Sequence, residues 1–243
     1  MIYEIAGLRV AIDNKHAYTT KFCQDYLSDD QESPVDITAS VTEEELQEER
    51  TCSPNFSDGY IENICLYRSI CRQIPTKNRF LFHSSVLEHN GNAYAFLGRS
   101  GTGKSTHTKL WLRYVENTRV LNGDKPILEY ADGKIFVHGT PWQGKENWGY
   151  RGKAELRGLC FLEQAKENSI AKMPTNETSS RVFQQVLLPQ DEENVVATLD
   201  LLDKLVENIP AYLLKCDISE EAVKLSFEQL TGEAYTQILK SEE

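Results

Sequence analysis

The first part of the chain alternates apolar and polar residues in short stretches. The segments YEIAGLRVAI and VDITASV have the two-residue period of half-buried β-strands. The neighbouring acidic segment SVTEEELQEER is expected to be a solvated loop or helix face, and CSPNFSDGY has the composition of a loop. Residues 1–57 are therefore predicted to form a small β-rich unit.

From residue 58 onward, helical spacing and hairpin turns replace this pattern. Apolar residues in GYIENICLYRSICRQI recur at helical spacing, and Pro75 is expected to end that helix. Asn-Gly in FLFHSSVLEHNGNAYAFLG and Asp-Gly in ILEYADGKIFVHG each predict a β-hairpin. Further strands are predicted in RVLNG, AELRGLCFLEQ and AYLLKCDI, and further helices at 103–115, 176–188, 191–208 and in SEEAVKLSFEQL. The pattern predicts an α/β fold with a mixed sheet over residues 58–243.

Composition and charge limit the kinds of molecule that the protein is expected to bind. Of the 243 residues, 40% are hydrophobic and 26% are charged, which is ordinary for a soluble globular protein. The net charge of −11 does not suit a surface that binds duplex nucleic acid, and no apolar run approaches the roughly 20 residues of a membrane span. The amino terminus lacks the features of a signal peptide, and the six cysteines form no Cys-x-x-Cys pair. We therefore expect a cytoplasmic protein with reduced thiols that binds neither nucleic acid nor membrane.

A glycine-rich stretch between a predicted strand and a predicted helix fits the pattern G-x4-G-K-[ST]. Such glycines let successive backbone N–H groups approach phosphate oxygens, and the positive end of the following helix points at the same place. Lys104 is expected to contact the β- and γ-phosphates, and the Ser105 hydroxyl is expected to ligate Mg²⁺. The sequence therefore predicts a site for a nucleoside triphosphate with Mg²⁺. The residues predicted to bind the nucleotide are Gly98, Ser100, Gly101, Thr102, Gly103, Lys104, Ser105 and Thr106.

Asp124 is the carboxylate that the sequence places best to assist such a site. It follows the predicted strand RVLNG, after room for one helix and one return strand from Lys104. In nucleotide-dependent enzymes a carboxylate near the phosphates holds Mg²⁺ or accepts the proton of the attacking hydroxyl. The alternative is an ordinary turn aspartate after Gly123. The hairpin that follows Asp124 argues against the ordinary GTPases and ATPases, in which crossover helices of a parallel sheet would follow.

Four segments together resemble one family. FHSSVLEHNGNAYAFLGRSGTGKSTHTKLW, LNGDKPIL, HGTPWQGK and AELRGLCFLE, in this order, look like the HPr kinase/phosphorylase-like proteins, which are related to ATP-dependent phosphoenolpyruvate carboxykinases. The resemblance covers residues 80–230. It implies a mixed-sheet core that uses ATP and Mg²⁺ to phosphorylate a hydroxyl, in the namesake a serine of a small carrier protein. Members of the family are often oligomers, so a homo-oligomer is a further expectation.

The resemblance also implies roles for three further residues. His83 matches the family's histidine near the transferred phosphate, and Glu155 and Arg157 match its Glu-Ile-Arg-Gly segment. Glu155 would then hold the metal together with Ser105 and Asp124. Arg157 would brace the γ-phosphate. The alternatives are a structural histidine and an ordinary alternation of charged residues along a strand.

One position departs from the family pattern. The family has two consecutive aspartates where this chain has Gly123 and Asp124, and in the namesake enzymes the first of them is the catalytic acid/base. Three outcomes stay open: Asp124 serves alone, Glu146 supplies the second carboxylate, or transfer is lost and the protein only binds nucleotide. The reverse reaction, phosphorolysis, is not expected.

The segment TPWQGKENWGYRGK, which is rich in glycine, cations and tryptophan, is predicted to close over the nucleotide. The alternative is a surface loop packed by its own aromatic residues. Lys125 is expected to pair with its neighbour Asp124. His107 is expected to face outward from the helix that follows the glycine-rich stretch and to have no role.

Two classes of function follow. The first is a kinase that transfers a phosphoryl group from MgATP to a hydroxyl of a peptide, protein or small molecule. The second is a nucleotide-binding regulatory or assembly protein, a degenerate kinase without transfer, which Gly123 and the absence of an identifiable acceptor site favour. A small-molecule or nucleic-acid kinase of the ordinary class is a weaker third option. The candidate catalytic residues are Asp124, His83, Lys104, Arg157 and Glu146.

Overall fold

The computed structural model describes residues 1–99 and 101–236. The chain divides into two compact units, one made of residues 1–80 and 187–201, the other of residues 81–186 and the chain from 202 onward. The strands are β1 (Ile2–Ile5), β2 (Leu8–Ile12), β3 (Ile37–Ala39), β4 (Arg79–Leu81), β5 (Ser85–His89), β6 (Asn92–Leu97), β7 (Thr118–Asn122), β8 (Ile127–Ala131), β9 (Lys134–His138), β10 (Lys153–Gln164), β11 (Ser169–Lys172) and β12 (Ala211–Cys216). The helices are α1 (Ala17–Phe22), α2 (Glu43–Cys52), α3 (Asp58–Gln73), α4 (Lys104–Tyr114), α5 (Thr175–Phe183), α6 (Glu192–Asn208) and α7 (Glu220–Thr231).

The first unit is a three-stranded sheet with helices packed on it. β1 and β2 are antiparallel, and β3 runs parallel to β2. The acidic segment forms α2, and Thr42 and Glu45 cap its start reciprocally. α3 packs against α1, α2 and β3 and buries Ile61 and Ile70. This unit therefore extends past residue 57, because the apolar face of α3 is covered by elements that precede it in the chain.

The second unit is built on a mixed sheet with the strand order β8-β9-β10-β6-β5-β7. The long strand β10 is parallel to β6 along one edge. On its other edge, the first half of β10 is antiparallel to β9, and the second half is parallel to β12, which also pairs with β11. The prediction of an α/β fold with a mixed sheet is confirmed.

Local turns and an aromatic core define this second unit. Asn90–Gly91 and Asp132–Gly133 all have positive φ, as the two-residue hairpin turns require, so both predicted hairpins form. α4 and α7 pack on the sheet through a buried cluster that includes Phe96, Trp111 and Phe227. This packing fixes the position of α4 on the sheet.

Two short elements of the structure were not predicted from the sequence. The six-residue helix α1 and the exposed four-residue strand β11 are too short for a periodic pattern.

All six cysteines are free thiols, and each except Cys52 is buried. Among the residues that the structure describes, none of the helices combines the length and apolar character of a membrane span.

Candidate functional site

The glycine loop, residues 98–103, connects β6 to α4. Gly98, Gly101 and Gly103 have φ angles of 150°, 85° and 103°. Gly103 immediately precedes α4 in the left-handed region, which strains any residue with a Cβ. A Cβ on Gly101 or Gly103 would meet no atom within 4 Å, so the space beside the loop is open. Ser100, one of the predicted nucleotide-binding residues, lies outside the described residues.

Lys104 is the first residue of α4, and its ammonium group folds back onto the glycine loop. Its Nζ donates to the carbonyl oxygen of Gly98 at 2.7 Å and to that of Arg99 at 3.4 Å. Burial lowers the pKa of Lys104, and the negative charge of Asp124 opposes this shift. The ammonium group therefore lies at the loop and within electrostatic reach of Asp124.

The other residues of the loop shape its turn and the start of the helix. The Thr102 hydroxyl donates to a loop carbonyl oxygen at 2.8 Å, and Gln164 Nε2 donates to the carbonyl oxygen of Gly101 at 3.1 Å. Ser105 and Thr106 are half-buried in the first turn of α4, where backbone N–H groups have no partner within a helix. Gln164 was missed from the sequence, because its contact depends on β10 running parallel to β6.

Asp124 follows β7, and its carboxylate is bound from two sides. His83 Nε2 lies 3.1 Å from one carboxylate oxygen, and Lys125 Nζ donates to the other at 2.7 Å. Burial raises the pKa of Asp124, but the hydrogen bond from His83 and the charge of Lys125 outweigh it and lower the pKa to about 2. Asp124 is therefore ionised at neutral pH.

His83 is fixed through its backbone while its imidazole stays accessible. Its N–H donates to the carbonyl oxygen of Gln185 at 2.7 Å, and its side chain is 40% exposed. The next residue, Ser84, donates its N–H to the carbonyl oxygen of Asp124 at 3.1 Å. Of the residues that the sequence predicted separately, His83 contacts Asp124, and Lys104 lies within electrostatic reach of the same carboxylate.

Gly123, where the family pattern has an aspartate, is covered by the loop after β9. Its N–H donates to the carbonyl oxygen of Trp148 at 2.8 Å. A Cβ on Gly123 would lie 2.8 Å from the carbonyl oxygen of Gln143 and 3.2 Å from that of Trp148. Both are backbone atoms, which cannot rotate away. The lack of a side chain at Gly123 therefore allows the close approach of residues 143–148. This arrangement leaves no room for an aspartate side chain.

Substitution of Gly123 by alanine is expected to lower the free energy of unfolding by about 1–3 kcal/mol, because the added methyl group overpacks against backbone. Gly158→Ala is the matched control, since its Cβ would meet mainly the end of the Leu230 side chain, which can rotate. Urea unfolding of both variants measures the difference. Equal losses at the two positions, or no loss at Gly123, would contradict the close approach.

The loop after β9 is anchored to the sheet next to Asp124. A Cβ on Gly144 would lie 2.9 Å from the Asp124 Cβ, so the loop backbone crosses over this residue. The Tyr150 N–H donates to the carbonyl oxygen of Leu121 at 3.3 Å, and the Tyr150 hydroxyl donates to Glu88. These contacts hold the loop beside the site.

The side chains of the same loop occupy different environments. Trp142 is buried, which leaves no open ring face for a ligand, whereas Trp148 is half-buried and Lys109 Nζ lies 5.2 Å from the centre of one of its rings. Glu146 is exposed. Among the described contacts, the loop reaches Asp124 through its backbone at Gly144 and not through the Glu146 carboxylate. These observations favour a loop packed by its own aromatic residues.

Glu155 and Arg157 lie at the other end of the sheet. Glu155 pairs with Asn92 where β6 begins, whereas Phe161 pairs with Leu97 where β6 meets the glycine loop. The six residue-to-residue steps from Glu155 to Phe161 span about 20 Å of strand. The Glu155 carboxylate instead accepts from a neighbouring lysine and from Arg157. The structure does not bring either residue to the glycine loop, so the expected metal role of Glu155 and phosphate role of Arg157 do not fit this placement.

The oxygen donors near the loop fit Mg²⁺ as part of a nucleotide complex. The Ser105 hydroxyl and the Asp124 carboxylate are hard donors, and Mg²⁺ is usually held by one or two carboxylates together with phosphates and waters. Within the part of the chain that the structure describes, no group of three or more His, Cys, Asp or Glu side chains is placed to hold a metal ion. Phosphate and water oxygens would therefore complete the shell, and Lys125 would release one oxygen of Asp124.

His107 corrects an expectation, because it faces inward from α4. Only 3% of its surface is exposed, and its Nε2 lies 3.0 Å from the Ser226 hydroxyl, which also accepts from Trp111 Nε1 at 2.9 Å. Its ring packs edge-on against Phe96. The outward orientation was wrong because α7 covers this side of α4, and this contact depends on residues more than a hundred positions away.

His107 is expected to make stability depend on pH. Burial lowers its pKa from 6.5 to about 4. The unfolded chain therefore binds a proton that the folded chain refuses, so the free energy of unfolding falls as the pH drops from about 6.5 toward about 4, by up to about 3 kcal/mol. Urea unfolding near pH 7.5 and near pH 5, in wild type and in His107→Gln, measures how much His107 contributes to the change in the free energy of unfolding with pH. The same pH dependence in both proteins would contradict it.

Comparisons with known proteins give a weak structural likeness. No family model matches the sequence, and the search of curated proteins returns no match. The chain is similar in fold to the Hpr(Ser) kinase/phosphatase from Coxiella burnetii, with a TM-score of 0.34 and 8% sequence identity. The likeness covers 63% of this chain and 93% of that chain.

Proposed function

We propose that this protein is a MgATP-dependent kinase that phosphorylates a hydroxyl group, a serine or threonine of a peptide or protein. The observation that carries the proposal is the contact of His83 with Asp124, next to an open glycine loop whose Lys104 lies within electrostatic reach of that carboxylate. A cation for phosphates and a carboxylate near the acceptor are parts that phosphoryl transfer to a hydroxyl uses, and an accessible imidazole can move the proton of that hydroxyl. The motifs that resemble those of the HPr kinase/phosphorylase-like proteins point to the same chemistry.

The glycine loop and α4 would bind the nucleotide. Backbone N–H groups of the loop and of the first turn of α4 would surround the phosphates. Lys104 would exchange its present bonds to two loop carbonyl oxygens for bonds to the β- and γ-phosphates. Ser105 and Asp124 would hold Mg²⁺, which, when bound, neutralises charge on the phosphates.

Asp124 and His83 would handle the proton of the acceptor. The hydroxyl oxygen forms a bond to the γ-phosphorus, and the bond from that phosphorus to the oxygen of ADP breaks. The hydroxyl proton passes to the Asp124–His83 pair, whose atoms lie 3.1 Å apart. An aspartate with a pKa of about 2 is a weak base by itself. The proposal therefore assigns proton transfer to the pair, with Asp124 orienting the imidazole.

A nucleotide-binding regulatory module is the second candidate. It is favoured by the packing around Gly123, which leaves no room for a second aspartate, and by the ion pair between Lys125 and Asp124. In this alternative the loop would bind MgATP while Lys125 keeps the carboxylate occupied.

Incubation with γ-labelled ATP, Mg²⁺ and either cell extract or serine- and threonine-containing peptides separates the two candidates. The kinase predicts label on an acceptor with wild type and none with Lys104→Ala. Binding of MgATP at micromolar concentration, with no label on any acceptor, would overturn the kinase in favour of the binding module. Failure to bind MgATP at all would overturn both.

A further inference from the structure

Asn122, the last residue of β7, uses its whole side-chain amide in a buried network. It is completely buried. Its Oδ1 accepts from the backbone N–H of Asp124 at 3.0 Å and from that of Lys125 at 2.7 Å. Its Nδ2 donates to the carbonyl oxygen and to the hydroxyl of Thr140, at 3.2 Å and 3.0 Å. These four bonds satisfy both acceptor positions and both donors of the amide.

Thr140 completes the network from the other side. It lies two residues after the end of β9 and is also completely buried. Its hydroxyl donates to the carbonyl oxygen of Lys125 at 2.7 Å. Residues 122–125 are therefore held by the amide of their own strand and by the hydroxyl of the loop that crosses over them.

The backbone of Asp124 therefore has little conformational freedom. Its N–H is bound to Asn122, and its carbonyl oxygen accepts from Ser84 at 3.1 Å. With both backbone groups fixed, its carboxylate points to His83. We infer that Asn122 and Thr140 are positioning residues that hold Asp124 in the orientation required for phosphoryl transfer. This inference rests on the proposed kinase function and extends it to residues outside the predicted site.

The contacts of Asn122 Oδ1 are those of an asparagine turn, to which the structure adds a buried hydroxyl from Thr140. Asparagine is unfavourable within strands, and a buried polar pair is costly unless each member is bonded. A serine or aspartate at the turn would suffice to cap one N–H group. Here the Asn122 amide and the Thr140 hydroxyl together fix the backbone of Asp124 and Lys125, the two residues whose side chains form an ion pair. Because transfer depends on alignment at the scale of 1 Å, loosening this turn affects the rate before it affects binding.

Thr140→Val tests the inference, because valine keeps the shape of threonine and removes its hydroxyl. We expect kcat for label transfer to fall about 10- to 100-fold, as for other groups that orient a reacting side chain, while KM for MgATP changes less than about threefold. Thr140→Ser retains the hydroxyl and is expected to restore kcat. Wild-type kcat in Thr140→Val would overturn the inference. So would parallel losses of kcat, MgATP affinity and melting temperature, which indicate a structural role only.

A second measurement does not depend on transfer. In Asn122→Ala, amide hydrogen exchange is expected to accelerate at Asp124 and Lys125, which lose their acceptor, and to stay unchanged in the centre of β10. Unchanged exchange at the two amides would overturn the inference. If wild type transfers no label although it binds MgATP, the proposed function fails, and the exchange result still decides whether Asn122 holds the turn.

Discussion

Asp124→Asn is expected to lower kcat for phosphoryl transfer by about 10²- to 10⁴-fold, the range of a positioned acid–base group. The substitution keeps the shape of the side chain but removes the charge that binds His83 and Lys125. It also removes a negative charge near Lys104. Binding of ATP without Mg²⁺ is therefore expected to be unchanged or tighter, whereas binding of MgATP is expected to weaken because Asp124 would hold Mg²⁺.

The matched control for this variant is Asp132→Asn. Asp132 is exposed in the turn between β8 and β9, in a conformation that asparagine also adopts readily. Steady-state transfer assays and ATP titrations on the two variants make the comparison. If Asp124→Asn and Asp132→Asn have the same kcat, Asp124 has no part in transfer.

Lys104→Ala is expected to weaken MgATP binding about 10- to 100-fold, because a hydrogen bond to a charged group contributes about 1.5–3 kcal/mol. The ammonium group is already at the glycine loop, bound only to carbonyl oxygens that phosphates would replace. The folded protein should be little affected, since those two contacts lie on a half-buried loop.

Lys172→Ala removes the same charge from the exposed end of β11 and serves as the control for Lys104→Ala. Calorimetric titration with MgATP measures both dissociation constants. Equal affinities in Lys104→Ala and wild type would show that the glycine loop does not bind the phosphates through this lysine.

Local patterns in the sequence were sufficient to predict the elements that depend on residues close together in the chain. The Asn-Gly and Asp-Gly turns define their hairpins through positive φ at two adjacent residues. The amphipathic pattern of α3 predicts its helix, and the spacing from the glycine loop to Asp124 predicts one helix and one return strand, which are α4 and β7. The position of Asp124 on the same side of the sheet as the glycine loop also depends on the pairing of β7 with β5, which the local pattern does not show.

What could not be predicted depends on pairing between distant segments. Glu155 lies far from the glycine loop because β10 is 12 residues long, and its register against β6 is not visible in either strand. His107 is buried because α7 packs over α4. The close packing at Gly123 depends on a loop that returns 20 residues later. The sequence left three outcomes open for the absent aspartate, and the structure shows a glycine that the packing requires.

The most direct test of the account is the fate of the γ-phosphoryl group, followed by ³¹P NMR with wild-type protein, MgATP and the acceptor found by labelling. The kinase predicts that the γ-resonance of ATP is replaced by a phosphomonoester resonance and by ADP in equal amounts, and that Asp124→Asn leaves ATP intact over the same period. Bound ATP that stays unchanged with the wild-type protein, or phosphomonoester formed equally well by Asp124→Asn, would contradict it.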